Sequence, residues 1–214
     1  MAKRFELTMF GMPIIMRHDY EDKEIAEKVN SYRAKSVKSL TGFLTNVPGS
    51  ENFSSFLDVG CGDDVDIKLF KELNSNYDYC VGIDKYLDNT DYNEHMVYGD
   101  WYTMSEDVFC NQNFDVVYLN HSMEHAANIY ALMQQISSMQ KRGGVLFVAV
   151  PDGNSEFGYG ITSSTTHFSV ITKGFLNTTL QRFGYNVSVE EREFRSGSPE
   201  IWAHAIKQYD GFGE

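Results

Sequence analysis

The sequence predicts one α/β domain built on a doubly wound, mostly parallel β-sheet with helices on both faces. Segments typical of strands and of helices alternate from residue 53 onward. The stretch 145–150 is almost entirely apolar, as expected for a parallel strand covered on both faces. An apolar run at 56–59 ends abruptly in Gly60-Cys61-Gly62, which is typical of a buried strand that turns sharply into a helix. The length of 214 residues suits a single domain with a sizeable core.

The beginning of the chain is expected to pack on this domain. Residues 5–16 are apolar and rich in Met, with a glycine and a proline among them, which predicts a strand or arm, or alternatively a lid over a cofactor or substrate. Residues 20–46 carry apolar side chains at roughly helical spacing, and Pro48-Gly49-Ser50 ends that helix. The predicted divisions are an arm and helix at 1–50, the main domain at 51–207 and a frayed tail at 208–214.

The main domain is expected to contain seven strands and three helices. The last two strands are predicted to pair as a hairpin-like unit, because only irregular polar sequence separates them. The predicted strands are 53–59, 79–83, 96–98, 114–120, 145–150, 185–189 and 201–206, and the predicted helices are 63–73, 124–139 and 172–183.

Composition excludes several classes of protein. The net charge of -12, from 18 basic and 30 acidic residues, argues against a broad surface that tracks nucleic-acid phosphates. Cys61, Cys80 and Cys110 are too few and too scattered for a disulfide framework or a CxxC zinc site, and they suit a reducing compartment such as the cytoplasm. We expect no signal peptide, and because no apolar segment is long enough, we expect no transmembrane helix.

The Gly60-Cys61-Gly62 turn predicts the floor of a nucleotide-type pocket at the end of the first strand. The third glycine of the dinucleotide fingerprint is missing, and Asp63, Asp64 and Asp66 follow instead. These acids complement the helix dipole themselves and would repel a pyrophosphate. A nucleoside without phosphates meets no such repulsion, so S-adenosylmethionine (SAM) is favoured over NAD.

Polar residues follow three further strands, and the carboxyl ends of parallel strands share one edge of the sheet. Asp84 is placed to accept the hydroxyls of a ribose. Asp100 is placed to bind the adenine amino group, and Trp101 to cover the adenine face. Asn120 and His121 would face the reacting centre. Each acid alone is as often a cap or turn residue, and a lone Trp is more often core, but recurrence at successive strand ends favours a binding site.

Residues 54 to about 190 resemble a class I SAM-dependent methyltransferase, with the motifs in the same order as in that family. The segments that carry the resemblance are FLDVGCGDD (56–64), VGIDKY (81–86), GDW (99–101), FDVVYLNHSMEH (114–125) and KRGGVLFVAVPD (141–152). One departure is Asp64, which stands where the family often has a third glycine, and it puts in question how closely the methionine moiety approaches the turn.

The resemblance implies a Rossmann-like, seven-stranded sheet of order 3-2-1-4-5-7-6 with the seventh strand antiparallel. It also implies that SAM lies across the strand ends and that the acceptor lies over strands four and five. The implied cofactor-binding residues are Asp58, Gly60, Cys61, Gly62, Asp84, Lys85, Tyr86, Asp100, Trp101 and Asn120.

A histidine-rich stretch, His121-Ser122-Met123-Glu124-His125, follows the fourth predicted strand. It matches the H-x-x-E-H pattern of some zinc peptidases, but that reading requires a helix where this sequence predicts a strand. Alternatively, Glu124 caps or orients the next helix while His125 packs. The stretch also resembles metal-dependent O-methyltransferases that act on small RNA or in the ubiquinone pathway, which implies a metal site of His121, Glu124, His125 and His167. Because His121 stands where those enzymes have an acid, such a site would either shift from Mg²⁺ towards Zn²⁺ or Mn²⁺ or be lost.

These features predict a SAM-dependent methyltransferase that acts on a small-molecule or saccharide-type acceptor, through a hydroxyl. His121 or His167 is the candidate catalytic base if no metal is bound. Two alternatives stay open: a methyltransferase-like module that binds SAM without turnover, and an NAD-linked oxidoreductase. Nucleic acid and membrane are not expected partners, and the sequence leaves the oligomeric state open.

Overall fold

A computed structural model describes residues 7–9, 12–14, 23–62, 64–85, 96–99, 109, 113–155, 167–194 and 198–209. The helices described are α1 (Lys23–Leu44), α2 (Val65–Leu73), α3 (Ile129–Met139) and α4 (Lys173–Arg182). The strands described are β1 (Leu7–Met9), β2 (Met12–Ile14), β3 (Ser55–Val59), β4 (Tyr79–Asp84), β5 (Met96–Tyr98), β6 (Phe114–Asn120), β7 (Gln140–Pro151), β8 (Tyr185–Phe194) and β9 (Ser198–Lys207). No helix in this part of the chain has the length and apolar character needed to cross a membrane.

The predicted α/β class with a mixed, mostly parallel sheet is confirmed. Seven of the described strands form one sheet in the order β5-β4-β3-β6-β7-β9-β8, and β1 pairs separately with β2. Strands β3 to β7 are parallel to one another, whereas β9 is antiparallel to both β7 and β8. From β3 the chain adds β4 and β5 on one side, and it then returns to add β6 and β7 on the other side. A doubly wound sheet binds its ligands at the carboxyl ends of the two strands between which the direction changes, here β3 and β6.

Helices cover both faces of this sheet, because alternate residues of each central strand point to opposite sides. Phe56, Tyr118 and Phe147 are fully buried in one cluster with residues of α1 and α2. Leu119 and Val148 lie in the other cluster with residues of α3 and α4. The near-continuous apolar sequence of β7 follows from this double coverage.

The structure corrects the predicted helix at 124–139. Met123–His125 forms a short 3₁₀ turn, Ala126 is extended, and α3 begins only at Ile129. The Asn128 side chain accepts a hydrogen bond from the Ala131 N–H at 3.1 Å, so it caps the helix at that point. Because α3 begins only at Ile129, Met123–His125 can form a 3₁₀ turn, which a continuous α-helix over 124–139 would not allow.

The strands at the end of the chain are longer than predicted. β8 continues to Phe194 and β9 begins at Ser198, so charged residues that suggested an irregular link are paired strand residues. β7 also begins earlier than predicted, at Gln140, with a register shift against β6. β8 is an edge strand, and its exposed face tolerates polar side chains, so a search for apolar runs does not detect its full length.

A buried carboxylate ties β3 to β6 at the amino-terminal end of the sheet. Asp115 Oδ2 accepts hydrogen bonds from the Ser54 N–H at 2.9 Å and from Ser55 Oγ at 2.7 Å. Lys141 Nζ lies 2.9 Å from Asp115 Oδ1. Burial alone would raise the pKa of Asp115, but the donors and the ammonium outweigh it and lower that pKa. The ionised carboxylate therefore stabilises the folded state.

Candidate functional site

The Gly60–Gly62 turn lies at the carboxyl end of β3 and is held against the end of β4. Gly60 and Gly62 have φ of 80° and 60°, a region that side chains with a Cβ rarely adopt. The Gly60 N–H donates to the Ile83 carbonyl at 2.8 Å, and the Gly62 N–H donates to Asp84 Oδ2 at 2.9 Å. A Cβ added at Gly62 would have one neighbour within 4 Å, the Arg33 Nη2 atom at 4.0 Å. Among the described residues, Gly62 therefore has almost no neighbours on the side where a Cβ would stand, and the Asp84 carboxylate lies beside it.

Asp64 does not disturb this turn. Its φ is -90°, which any residue can adopt, so the position does not require glycine. Its carboxylate pairs with Lys68 Nζ at 2.8 Å, one helical turn further along α2. The departure from the family pattern is therefore accommodated by a local ion pair.

Most of the predicted cofactor residues converge here. Asp58 is 1% exposed, and Asn120 at the end of β6 has a buried Oδ1 with no hydrogen-bond partner among the described residues. Cys61 is buried, and its Cβ and Sγ lie 2.7 Å from where a Cβ on Gly82 would stand, so its side chain packs inward. Lys85 directly follows β4. Tyr86, Asp100 and Trp101 lie outside the residues that the structure describes.

His121 follows β6 and lies between two buried carboxylates. It is the one non-glycine residue with a positive φ, 53°, in the described chain, and its N–H donates to the Ala149 carbonyl at 2.9 Å. This backbone places Nε2 in hydrogen-bond contact with Glu200 Oε1 and Nδ1 3.3 Å from Glu124 Oε1. Glu200 comes from β9 and Glu124 from the 3₁₀ turn, so His121 joins two distant parts of the chain.

Sequence reasoning missed the group that surrounds Glu200. The Tyr32 hydroxyl donates to Glu200 Oε2 and lies 3.4 Å from His121 Nε2. Trp202 Nε1 donates to the same Glu200 oxygen at 2.8 Å. We call Tyr32, His121, Glu200 and Trp202 the Glu200 network. Its members come from α1, the end of β6 and β9, and no local spacing in the sequence could have connected them.

The network keeps His121 protonated. Burial would lower its pKa, but contacts with Glu124 and Glu200 and the charges of both carboxylates raise the pKa to about 10. Burial and the Glu200 charge also raise the pKa of Tyr32. An imidazolium has no free lone pair to accept a proton, so this environment does not favour His121 as the catalytic base.

Glu124, His125 and His167 form a second group, which we call the Glu-His-His cluster. One ligand atom from each residue lies within 4.8 Å of the other two. Glu124 is 2% exposed, and neither of its carboxylate oxygens has a hydrogen-bond partner of good geometry among the described residues. The rings of His125 and His167 meet edge to face, with centroids 4.6 Å apart. His121 Nδ1 lies 3.3 Å from one oxygen of this buried carboxylate. A cation held by all three residues of the cluster would further reduce the cost of burying the charge.

Backbone contacts bring His167 to this cluster. The Phe168 and Ser169 N–H groups donate to the Glu124 carbonyl at 3.0 and 3.1 Å, and Ser169 Oγ donates to the Ala126 carbonyl at 2.9 Å. Burial lowers the pKa of His167 to about 4 despite the nearby Glu124 charge, so the ring is neutral. A neutral imidazole is the form that binds a metal or accepts a proton. The cluster contains three of the four predicted metal ligands. The fourth, His121, is not part of it and lies between Glu124 and Glu200.

A surface groove of about 490 Å³ lies at the opposite end of the sheet, between the end of α1 and the segment before β4. It is lined by residues such as Thr45, Glu51 and Tyr77. Strand amino ends rather than carboxyl ends face it, and neither the Glu200 network nor the Glu-His-His cluster contributes to it. Its size therefore does not make it the candidate site.

Comparisons with known proteins agree with this geometry. Residues 17–189 match a family model described as a methyltransferase domain. No curated protein matches the chain in sequence. A solved SAM-dependent methyltransferase from Archaeoglobus fulgidus is 17% identical, with a TM-score of 0.63, and the match covers 87% of this chain and 100% of that one.

Two further solved structures share the fold. A plantazolicin methyltransferase in complex with S-adenosylhomocysteine (SAH) is 12% identical, with a TM-score of 0.64 over 88% of this chain and 92% of that one. A magnesium protoporphyrin IX methyltransferase from Synechocystis with bound SAH is 14% identical, with a TM-score of 0.58, and the match covers 88% of this chain and 91% of that one. At these identities the likeness concerns the fold.

Proposed function

This chain belongs to the methyltransferase-domain family, and we propose that it moves the methyl group of SAM to a hydroxyl of a small-molecule or saccharide-type acceptor. The observation that carries the proposal is the bare Gly60–Gly62 turn beside the Asp84 carboxylate, at the point where the strand order reverses. SAM supplies an electrophilic methyl group on a positively charged sulfonium, and the acids at these strand ends suit a cationic ligand without phosphates.

The cofactor residues have distinct proposed roles. Gly60 and Gly62 allow close approach of the methionine part, and Asp58 and Asn120 lie below it at the ends of β3 and β6. Asp84, with Lys85 and Tyr86 after it, would bind the ribose, as Asp100 and Trp101 would bind the adenine. The residues of this chain then contribute mainly by holding cofactor and acceptor in line for transfer.

Two observations support an acceptor other than nucleic acid. The net charge of -12 disfavours a polyanion. Plantazolicin and magnesium protoporphyrin IX are the compounds named for two structural neighbours. Phe168, which is 56% exposed and follows His167 directly, offers an apolar contact for the carbon skeleton of such an acceptor.

We further propose that the Glu-His-His cluster binds a divalent metal. Two imidazoles and one carboxylate are a donor set that suits Zn²⁺, Mn²⁺ or Fe²⁺ better than Mg²⁺. A metal there would orient the acceptor hydroxyl and lower its pKa. Without metal, the neutral His167 would accept the hydroxyl proton. In either case His121 acts as a fixed cation that orients Glu124.

Calorimetric titration tests the cofactor proposal. We expect the protein to bind SAH and not NAD, because only NAD carries a pyrophosphate towards the acids of the turn. Asp84→Asn should weaken SAH binding by about 10- to 100-fold, since one charge-assisted contact is lost. The control Asp78→Asn changes an exposed acid before the same strand and should leave the affinity unchanged. Binding of NAD without SAH would contradict the proposal.

Titration with Mn²⁺, followed by electron paramagnetic resonance, tests the metal proposal. We expect one bound ion per chain in the wild type, and at least about tenfold weaker binding in Glu124→Gln and in His167→Asn. Glu191→Gln, which changes an exposed carboxylate on β8, is the matched control and should bind like the wild type. Equal binding by wild type and both cluster variants would show that the ion sits elsewhere.

A further inference from the structure

His121 joins the Glu200 network to the Glu-His-His cluster. One of its ring nitrogens, Nδ1, lies 3.3 Å from Glu124 Oε1. The other, Nε2, is in hydrogen-bond contact with Glu200 Oε1. Because both contacts are made by one rigid ring, a rotation of the imidazole that changed one contact would also change the other. The position of Glu200 is therefore transmitted to the carboxylate of Glu124.

The side chains behind His121 are held firmly in place. The Tyr32 ring meets the His121 ring edge to face, with centroids 5.8 Å apart. Tyr32 meets Trp202 in the same way at 6.4 Å, and Trp202 meets Phe147 of β7 at 5.6 Å. Tyr32 and Trp202 are both buried, and both donate to Glu200. Close packing of this kind restricts the rotamers of the whole group.

Glu124 needs a partner that fixes the direction of its carboxylate. The residue is buried, yet neither carboxylate oxygen has a hydrogen bond of good geometry among the described residues. The contacts from Phe168 and Ser169 go to its backbone carbonyl and leave the side-chain torsions undetermined. A carboxylate that binds a metal depends on an outer partner to keep its oxygen directed at the ion. His121 Nδ1 is placed to be that partner.

We propose that Glu200 and Tyr32 are positioning residues for the Glu-His-His cluster, which act through His121 to hold the Glu124 carboxylate towards a bound metal ion. This inference rests on the metal site of the proposed function and extends it. α1 and β9 supply none of the three ligands of the cluster, but they would determine how tightly the ion is bound.

Titration with Mn²⁺ of two variants tests this role. Tyr32→Phe keeps the ring and its edge-to-face contacts but removes the hydroxyl that donates to Glu200, and we expect about threefold or weaker binding. Glu200→Gln should weaken binding by about tenfold or more. Tyr185→Phe is the matched control, because it removes a buried hydroxyl that donates to Gln140 Oε1 at the amino end of β7. It should bind Mn²⁺ like the wild type.

A double variant separates positioning from a general loss of structure. In a Glu124→Gln background, Tyr32→Phe should change the Mn²⁺ affinity by less than about twofold, because the carboxylate through which Tyr32 acts is already lost. An equal loss of affinity in both backgrounds would contradict the positioning role. The shape of the paramagnetic resonance signal of bound Mn²⁺ depends on the symmetry of its ligands, so it should change in Glu200→Gln and not in Tyr185→Phe. If Glu200→Gln does not fold, Tyr32→Phe decides the test.

The outcomes also distinguish this inference from the proposed function. If the wild type binds Mn²⁺ and both Tyr32→Phe and Glu200→Gln bind it equally well or more tightly, the positioning role is wrong and the metal site stands. If the wild type binds SAH but no Mn²⁺, the metal site and the positioning role are both wrong, and methyl transfer from SAM stands. If it binds neither, the proposed function is wrong as well.

Discussion

At the scale of single residues, Glu200 does most to shape the site. It is 1% exposed and accepts hydrogen bonds from Tyr32, His121 and Trp202. A buried carboxylate is tolerable only when donors and a counter-charge surround it, and here His121 supplies the charge. The same contact fixes the ring of His121 towards Glu124, so Glu200 sets the geometry of a cluster that it does not touch directly.

Replacing this carboxylate should therefore destabilise the protein strongly. Glu200→Gln keeps the shape but removes the charge that pairs with His121, and we expect the free energy of unfolding to fall by about 3 kcal/mol. Urea denaturation followed by circular dichroism measures the change. The exposed Glu191→Gln should change stability by less than about 0.5 kcal/mol, and an equally small effect at Glu200 would refute this account of the network.

At the scale of elements, the site depends on how the segment before α4 packs. Gly153 follows β7, and its N–H donates to the Ile171 carbonyl at 2.8 Å. A Cβ there would lie 2.5 Å from Val170 Cγ1 and 2.9 Å from the Ile171 carbonyl oxygen. The same segment carries His167, so the close approach at Gly153 helps to hold that histidine against Glu124.

Adding one methyl group should thus displace a proposed metal ligand. We expect Gly153→Ala to lower the free energy of unfolding by about 1–3 kcal/mol and to weaken Mn²⁺ binding as well. Gly174→Ala is the matched control, because no described residue outside its own helical turn lies within 4 Å of its added Cβ and α4 gains helix propensity. Unfolding curves and Mn²⁺ titrations of both variants check the prediction, which is wrong if Gly153→Ala binds the ion normally.

Physical reasons explain which elements could be predicted from the sequence and which could not. The central strands and the glycine turn were predictable, because burial on both faces selects apolar residues and positive φ selects glycine. The break before α3 was missed, since a capping Asn128 inside a helix-like apolar period carries a weak signal. Glu200 and Tyr32 were missed because their partner His121 lies 79 and 89 residues away, and such pairing depends on the folded topology.

At the scale of the whole molecule, acid stability should depend on buried carboxylates such as Asp115. The folded state lowers the pKa of Asp115, so the group stabilises the protein at pH values above its unfolded pKa of about 4. That stabilisation is lost as the pH falls from about 5 through the still lower folded pKa. The Asp115 carboxylate contributes this stabilisation where β3 pairs with β6, at the middle of the sheet.

Removing the charge should reduce that dependence on pH. We expect Asp115→Asn to lower the free energy of unfolding by about 1–3 kcal/mol at pH 7, with a smaller difference from the wild type at pH 3. Urea denaturation at several pH values measures both quantities. The exposed Glu72→Gln should follow the wild-type curve. If the free energies of unfolding of Asp115→Asn and the wild type differed by the same amount at every pH in this range, ionisation of Asp115 would not be the source of the pH dependence.

The left-handed backbone of His121 also decides which substitutions can report on its imidazole. Asparagine and glycine tolerate a φ of 53°, whereas this conformation is unfavourable by about 1–2 kcal/mol for alanine and by more for valine or isoleucine. Replacing His121 by alanine would therefore combine a backbone effect with the loss of the imidazole ring. Replacement by asparagine reports on the loss of the ring alone. In a library randomised at position 121, the variants that fold would be selected first by their tolerance of positive φ and only then by the chemistry of the side chain.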